Sequence, residues 1–374
     1  MKKILFLTGT RADFGKIKSL ISITQKSSLF DVHIFATGMH MIDKYGKTVN
    51  EIYKSGFENI FEFSNHDVME RMDINLATTI TGFSNYVATL KPDLIVIHGD
   101  RVEAMAGAIV GSLNNILVAH IEGGELSGTI DELIRHSISK LAHIHLVSNN
   151  EAKLRLVQMG ENRENIFTIG SPDLDVMNSN KLPALHFVKE YYDIDFKEYA
   201  LLIFHSVTTE LEELSTHATI LIDALIKSKR NYIVIYPNND SGSNIILEEY
   251  TKLEKNSHFK IFPSLRFEYF LTLLKNTQFV IGNSSAGLRE APYYSVPTIN
   301  VGNRQLNRVK SQNIIDIAFD KEQITSAIGS ALMVQKKEQD INFGDGKSDT
   351  AFYKLLQNES LWNTPHQKQF LDIQ

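Results

Sequence analysis

Three acidic side chains in the first half of the chain have the types and spacing that proton transfer needs. Asp100 follows an apolar run in VIHGDRVEA, and Glu122 and Asp131 follow the next run in AHIEGGELSGTIDELIR. Carboxylates that lie close together raise one another's proton affinity, which suits general acid-base chemistry. The alternatives are a plain helix N-cap at Asp100 and a salt-bridged helix start, in which Asp131 and Arg135 share one helix face.

Basic side chains follow the first apolar run of the chain and have the character of an anion site. The segment TGTRADFGK, residues 8–16, places Arg11 and Lys16 where a helical pattern begins. Helix N-termini attract anions through their N–H groups and the helix dipole. The segment matches neither the P-loop pattern nor GxGxxG, which disfavours a dinucleotide cofactor. An ordinary capped turn with solvated charges explains it equally well.

The second half of the chain carries a histidine and a serine-rich turn after its own apolar runs. His205 has a side chain whose charge changes near neutral pH, although a lone histidine at a strand end is more often structural. Ser284 and Ser285 precede a helical pattern, and such hydroxyl and N–H groups suit a diphosphate. Glu290, one turn later, suits two ribose hydroxyls, with a capped helix as the alternative.

Short apolar runs alternate with amphipathic segments, which predicts parallel βαβ units buried on both sheet faces. The predicted strands are 4–8, 32–37, 94–98, 117–121, 144–147, 166–169, 200–204, 232–236, 259–262, 279–281 and 298–301. One predicted helix begins at 14. The others cover 101–113, 131–141, 210–227, 245–255, 267–274, 286–293 and 349–356. The fold class is therefore α/β, with two Rossmann-like doubly wound domains and a ligand cleft between them. We place the first domain at 1–172, the second at 173–349, and a segment 350–374 back on the first.

Composition limits the possible function classes. A chain of 374 residues exceeds what one core usually supports, and its 43% apolar and 22% charged content is ordinary for a globular protein. A net charge of -6 gives no general attraction for nucleic acid, and no apolar run is long enough to span a membrane. Absence of cysteine excludes thiol chemistry, and absence of a secretion signal favours the cytoplasm. His143 and His145 without a third ligand make a weak metal site, so no metal is expected.

These motifs, together with GMHMIDKYG and GNRQ, resemble the hydrolysing UDP-N-acetylglucosamine 2-epimerases over residues 2–346. That family includes bacterial sialic-acid enzymes and the epimerase domain of the bifunctional animal enzyme. The resemblance implies a glycosyltransferase B fold, a UDP-sugar in the cleft, no cofactor, and a homodimer or homotetramer. It also implies that a base takes the proton from carbon 2 while UDP leaves carbon 1. Water then adds to 2-acetamidoglucal and releases N-acetylmannosamine for sialic-acid-type nonulosonate synthesis.

The resemblance also assigns roles to individual residues. The catalytic residues are Asp100, Glu122, Asp131 and His205, without a decision on which one is the base. The residues that bind the substrate and UDP are Arg11, Lys16, His40, Arg101, Arg135, Asn238, Leu265, Ser284, Ser285, Glu290 and Arg304. Within the second set, His40 is directed to the sugar, Glu290 to the ribose and the backbone of Leu265 to uracil.

Three other functions stay open from the sequence. Related epimerases that act on UDP-N,N'-diacetylbacillosamine carry a histidine where this chain has Glu122, which favours the N-acetylglucosamine substrate. A glycosyltransferase would share the fold, but its acceptor site rarely needs three carboxylates. A nucleotide-sensing module would leave Asp100, Asp131 and His205 without a task.

Overall fold

A computed structural model describes residues 1–65, 71–127, 130–179, 182–305, 311–334 and 342–372. The chain divides into two compact units. The first unit comprises Met1–Glu125, Asp131–Asn180 and Asn342–Gln374, and the second unit comprises Leu126–Ile130 and Lys181–Ile341.

Each unit is built on one parallel sheet. The strands of the first unit are β1 (Lys2–Thr8), β2 (Phe30–Ala36), β3 (Ile60–Glu62), β4 (Leu94–His98), β5 (Leu117–Ile121), β6 (Ile144–Val147) and β7 (Ile166–Thr168). The strands of the second unit are β8 (Ala200–Ile203), β9 (Tyr232–Ile235), β10 (Phe259–Phe262), β11 (Val280–Gly282), β12 (Thr298–Val301) and β13 (Ile314–Ile317). The sheet orders are β3-β2-β1-β4-β5-β6-β7 and β10-β9-β8-β11-β12-β13. Both orders reverse beside the first strand of the unit, and such switch points are where doubly wound folds bind ligands.

Helices connect the strands. They are α1 (Arg11–Gln25), α2 (Val49–Lys54), α3 (Met72–Leu90), α4 (Val102–Leu113), α5 (Ile130–Leu141), α6 (Asn150–Gln158), α7 (Asp173–Met177), α8 (Leu185–Tyr191), α9 (Leu214–Ser228), α10 (Ser243–Tyr250), α11 (Phe267–Lys275), α12 (Glu290–Tyr293), α13 (Lys321–Met333), α14 (Ser348–Leu356) and α15 (Glu359–Trp362). None of the helices in the described ranges has the length and apolar character that crossing a bilayer requires.

The core of the first unit includes the end of the chain. Phe352 of α14 packs edge-on against Phe6 of β1, with ring centroids 6.2 Å apart. Trp362 stacks on Phe30 of β2 at 6.3 Å. Asp175 of α7 accepts the N–H groups of Ser348 and Asp349 at 2.8 Å each, which satisfies two of the unpaired N–H groups at the start of α14.

The second unit has its own apolar core. Leu202 and Val234 on its central strands are fully buried, together with Leu221 and Ile222 of α9 and Ile324 of α13. Continuous apolar strands of this kind are buried on both faces because helices cover both sides of a parallel sheet.

The predicted fold class, α/β with two Rossmann-like doubly wound units, is confirmed. The strands predicted at 94–98, 117–121, 144–147, 259–262 and 298–301 have those bounds in the structure. The continuous helix predicted at 286–293 was wrong, because a 3₁₀ turn at Ser285–Gly287 precedes the short α12. Thr298 Oγ1 donates to the carbonyl of Gly287 at 2.6 Å and takes the acceptor that a continuous helix would use. The strands β3 and β13 and the helices α2, α3, α6, α7, α8, α13 and α15 were not predicted.

Candidate active site

Glu122 lies directly after β5 between two basic side chains. Its Oε1 is 3.4 Å from Lys16 Nζ and 3.3 Å from His98 Nε2, and the carboxylate is buried. The backbone of Glu122 has a φ of 68°, a left-handed conformation that costs a non-glycine residue about 1–3 kcal/mol and is typical of functional sites. The N–H group bonds Leu146 O at 3.2 Å, so the strained turn is held in place by the neighbouring strand.

Arg135 of α5 interacts with the acidic side chains that the sequence predicted. Its guanidinium is fully buried, donates through Nη2 to Asp100 Oδ2, and donates through Nη1 to Glu125 O at 3.2 Å. Burial opposes the charge of Arg135, but the carboxylates of Asp100, Glu125, Glu122 and Asp131 outweigh it and raise the pKa of the guanidinium. One buried cation therefore pairs with Asp100 and is stabilised by the charges of the other acids.

Arg101 is held by a second buried carboxylate. It occupies the N-cap position of α4, and its Nε lies 3.3 Å from Glu103 Oε2. Glu103 lies beneath two glycines, and a Cβ on Gly38 would come within 2.7 Å of Glu103 Oε1. Asp100 is therefore not the N-cap of α4, and its bond to Arg135 favours the charged-site interpretation.

The turn between β1 and α1 has a capped helix start, as the alternative to an anion site described, but Lys16 is buried rather than solvated. Thr10 Oγ1 accepts the N–H of Asp13 at 3.1 Å, and Asp13 Oδ2 accepts the N–H groups of Gly9 at 2.9 Å and Thr10 at 3.3 Å. Burial raises the pKa of the Asp13 carboxyl. Arg11 is the first residue of α1 and is half-buried, and Lys16 lies one turn later on the same helix.

His40, which the resemblance directs to the sugar, is fully buried beside α1. Its Nε2 lies 3.0 Å from Thr8 Oγ1 and its Nδ1 lies 2.8 Å from Thr48 Oγ1. Burial lowers the pKa of His40 to about 3, so the ring is neutral at pH 7. Both ring nitrogens bond to the protein, and the sugar contact stays a prediction.

His120 of β5 supports the turn that presents Asp100. Its Nε2 lies 2.8 Å from Gly99 O and its Nδ1 lies 3.2 Å from Ser139 Oγ. Burial lowers the pKa of His120 to about 3. A carbonyl only accepts, so the neutral ring donates from Nε2 to Gly99 O and accepts at Nδ1 from the hydroxyl of Ser139.

The two histidines that were considered as metal ligands make protein contacts instead. His143 Nδ1 accepts the N–H of Val118 at 3.1 Å, and its Nε2 lies 3.0 Å from His366 O. His145 Nε2 lies 2.9 Å from Glu161 Oε2. These contacts account for three of the four ring nitrogens.

In the second unit, His205 follows β8 and its backbone is clamped by one asparagine. Asn283 Oδ1 accepts the N–H of His205 at 2.7 Å, and Asn283 Nδ2 donates to His205 O at 2.9 Å. The N–H of Asn238 donates to His205 Nδ1 at 3.0 Å. Because Nδ1 accepts, the neutral ring carries its proton on Nε2, which makes that atom a hydrogen-bond donor.

The serine turn follows the neighbouring strand, β11. Ser284 and Ser285 are half-buried, and Ser284 Oγ accepts the N–H of Ala286 at 3.3 Å. Arg304 Nη1 and Gln305 Nε2 both donate to the carbonyl of Asn283, at 3.3 and 3.2 Å. The turn is thus fixed from its buried side.

The other predicted residues of the second unit lie in the same part of its sheet. Glu290 is buried at the start of α12, and Leu265 is buried between β10 and α11. The residues that follow strands β10, β9, β8, β11 and β12 in sheet order are Leu265, Asn238, His205, Ser284 with Ser285, and Arg304. The carboxyl edge of this sheet therefore brings them together.

Sequence reasoning missed several residues that hold these groups. His98 pairs with Glu122, Glu103 pairs with Arg101, and Asn283 clamps His205. A signal was present for two of them, because His98 is a polar final residue in the apolar strand β4 and Asn283 stands directly before the serines.

The fold and the strand-end groups are those of an α/β enzyme that combines acid-base side chains with an anion-binding turn. The family model for UDP-N-acetylglucosamine 2-epimerase matches residues 23–357. A UDP-N-acetylglucosamine 2-epimerase of Neisseria meningitidis serogroup B is 49% identical over 376 residues, which is 100% of both chains. A UDP-N,N'-diacetylbacillosamine 2-epimerase (hydrolyzing) of Legionella pneumophila is 35% identical over 361 residues, covering 95% of this chain and 96% of the other.

A solved structure has the same fold. The crystal structure of Methanocaldococcus jannaschii UDP-GlcNAc 2-epimerase in complex with UDP-GlcNAc and UDP matches with a TM-score of 0.80 at 21% identity, over 96% of this chain and 99% of that one. The chain therefore belongs to the UDP-N-acetylglucosamine 2-epimerase family, and the prediction that it is an enzyme of this family is confirmed.

Proposed function

We propose that the protein is a hydrolysing UDP-N-acetylglucosamine 2-epimerase, which converts UDP-N-acetylglucosamine and water to N-acetylmannosamine and UDP. The observation that carries the proposal is the pairing of carboxylates after two neighbouring strands with buried cations, Asp100 with Arg135 and Glu122 with Lys16. The 49% identity to a relative named for this substrate supports the choice of sugar.

The first step is an elimination in which the carboxylates of the first unit act. One of Asp100, Glu122 and Asp131 takes the proton from carbon 2, the bond from carbon 1 to the diphosphate oxygen breaks, and 2-acetamidoglucal forms. The proton is weakly acidic, so the base must be held in place by fixed charges. The pairs Lys16–Glu122 and Arg135–Asp100 supply that fixation.

The departing UDP carries negative charge that the protein must stabilise. We assign this task to Arg11, Arg101 and the turn at Ser284 and Ser285, because guanidinium, hydroxyl and N–H donors suit diphosphate oxygens. His205 acts as a donor from Nε2, since its Nδ1 already accepts a backbone N–H.

The second step is hydration of the intermediate. Water adds at carbon 1 and a proton is delivered to carbon 2 from the face opposite to the one that lost it. The product is free N-acetylmannosamine, a sialic-acid precursor. Because the proton returns to the opposite face of carbon 2, the acid of this step is a different group from the base of the first step.

The test is turnover of UDP-N-acetylglucosamine in deuterated water without added metal, followed by proton NMR. We expect UDP and N-acetylmannosamine with deuterium at carbon 2. Asp131→Asn and His205→Ala should lose this activity. Glu132→Gln, a neighbouring half-buried acid on α5 that pairs with His136, is the matched control and should keep it.

A second substrate is tested in parallel because of the relative that is 35% identical and named for UDP-N,N'-diacetylbacillosamine. Turnover of that nucleotide alone would keep the mechanism and replace the substrate. Absence of turnover with both nucleotides would overturn the proposed function. The homodimer or homotetramer and the cytoplasmic location stay predictions, and light scattering of the purified protein tests the first.

A further inference from the structure

The C-terminal tail, residues 364–372, lies against the last turn of α5. Lys368 Nζ donates to three carbonyls there, Ser139 O at 3.2 Å, Lys140 O at 2.9 Å and Ala142 O at 2.7 Å. The last carbonyls of a helix lack partners within the helix, and the dipole favours a cation beside them. Lys368 therefore caps the C-terminal end of α5 from a distant part of the sequence.

A buried carboxylate balances the charge of Lys368. Glu161 binds Lys368 and also accepts from Lys140 Nζ at 2.7 Å and His145 Nε2 at 2.9 Å. Burial opposes ionisation of Glu161, but the hydrogen bonds and charge of His145, Lys140 and Lys368 lower the pKa of its carboxyl to about 2. The ammonium of Lys368 is thus held between a carboxylate and the end of a helix.

Two further contacts fix the tail at the two residues before Lys368. His143 Nε2 donates to His366 O at 3.0 Å, since its Nδ1 already accepts a backbone N–H. Gln367 Nε2 donates to Asn115 Oδ1 at 2.7 Å. The backbone that carries Lys368 is therefore anchored independently of α5.

The end of α5 that Lys368 binds is connected to the acidic cluster. Ser139 donates its hydroxyl to His120, and His120 donates to the carbonyl of Gly99, the residue before Asp100. Arg135, one turn before Ser139 on the same helix, bonds Asp100 directly. Asp131 lies eight residues before Ser139, about 12 Å along the axis at 1.5 Å per residue.

We propose that Lys368 is a positioning residue, which fixes α5 along its axis and thereby places Asp131 and Arg135 for catalysis. The kinetic part of this inference rests on the proposed function. The structural part, that Lys368 holds α5, rests on the contacts alone.

The experiment compares three variants of the full chain. Lys368→Met removes the donors and keeps the stem, Lys368→Arg keeps the charge, and Lys140→Met removes another partner of Glu161 without touching the carbonyls that Lys368 binds. For each we measure kcat and KM on UDP-N-acetylglucosamine and amide hydrogen exchange in α5. We expect Lys368→Met to lower kcat about tenfold, with KM within twofold, and to speed α5 exchange about tenfold.

The controls separate positioning from loss of charge balance. Lys368→Arg should recover at least half of the kcat, and Lys140→Met should stay within twofold of the wild type. An equal loss in Lys140→Met, or faster α5 exchange with an unchanged kcat, would overturn the inference. If the wild type does not turn over the nucleotide, the proposed function fails, and α5 exchange alone then decides whether Lys368 holds the helix.

Discussion

The two units share one strand order and differ in the residues that follow their strands. In the first unit the strand ends carry buried ion pairs, Lys16 with Glu122 and Arg135 with Asp100. In the second unit His205 is held by neutral groups, chiefly the side chain of Asn283. The same scaffold therefore places groups at the same edge, while the residue types at that edge differ between the units, as the proposed division into proton transfer and anion binding requires.

The difference is also energetic. A buried charge that loses its partner is strongly destabilising, by about 3–5 kcal/mol, because its desolvation is no longer compensated. A buried neutral group that loses its hydrogen bond costs about 1–3 kcal/mol. The following changes test whether breaking a charged contact in the first unit has a larger effect than breaking a neutral contact in the second unit.

The largest effect is expected on catalysis in the first unit. Asp131→Asn should lower kcat by about 10²–10⁴-fold, because a general acid-base group is lost while the shape of the side chain is kept. Ser284→Ala in the second unit should mainly raise KM, since it removes one neutral contact to the diphosphate. Steady-state kinetics on both variants check this, and a larger kcat loss in Ser284→Ala would reverse the comparison.

The next effect is on the stability of the first unit. Arg135→Met leaves the partly exposed Asp100 without its buried partner, so it should lower the free energy of unfolding by less than the about 3–5 kcal/mol expected for a fully buried pair. Urea unfolding followed by the fluorescence of Trp362, the single tryptophan, reports on this unit because its ring stacks on Phe30. Arg155→Met removes the partly exposed pair with Glu151 and should cost under about 1 kcal/mol. Equal losses in the two variants would contradict the prediction.

A comparable effect on stability is expected from the clamp in the second unit. Asn283→Ala removes the partners of both backbone groups of His205, at about 1–3 kcal/mol for each buried group. Hydrogen exchange in β8 should measure the loss, and kcat should fall because His205 is no longer held. Asn276→Ala, which removes a half-buried bond to Thr272 O, is the matched control. A control effect as large as that of Asn283→Ala would show that the clamp has no special role.

The elements that the sequence predicted well are those with a local signal. The strands β4 and β5 are continuous apolar runs, and Asp100 and Glu122 are polar residues at their ends. What could not be predicted depends on contacts between distant residues. Thr298 breaks the helix predicted at 286–293 by taking the carbonyl of Gly287, and no local pattern reports that bond.

The same reason explains the residues that were missed at the candidate site. Glu103 pairs with Arg101 beneath Gly38, whose positive φ and close approach become visible only when β2 and α4 are packed together. Lys368 binds the carbonyl of Ser139 across more than two hundred residues. Spacing within one element predicted which residues lie at the site, but not which residues hold them.

The last effect in this series is a pH dependence of the first unit. Burial lowers the pKa of His40 and of His120 from the ordinary 6.5 to about 3. Between these values the unfolded chain binds protons that the folded chain does not, so stability is fully present above about pH 6.5 and is lost as pH falls. Each histidine should contribute about 1.4 kcal/mol per pH unit in that window. Urea titrations read by Trp362 fluorescence at several pH values measure the slope.

Variants decide whether these two histidines cause the slope. His40→Asn and His120→Asn should each weaken the dependence on pH below 6.5, whatever they do to stability at pH 7.5, because each removes one group that protonates on unfolding. His186→Asn, at an exposed position on α8, should leave the slope unchanged. Burial also lowers the pKa of His143 and of His145, so the double variant His40→Asn/His120→Asn should keep a weaker slope. A slope as steep in the double variant as in the wild type would place the acid sensitivity in other groups.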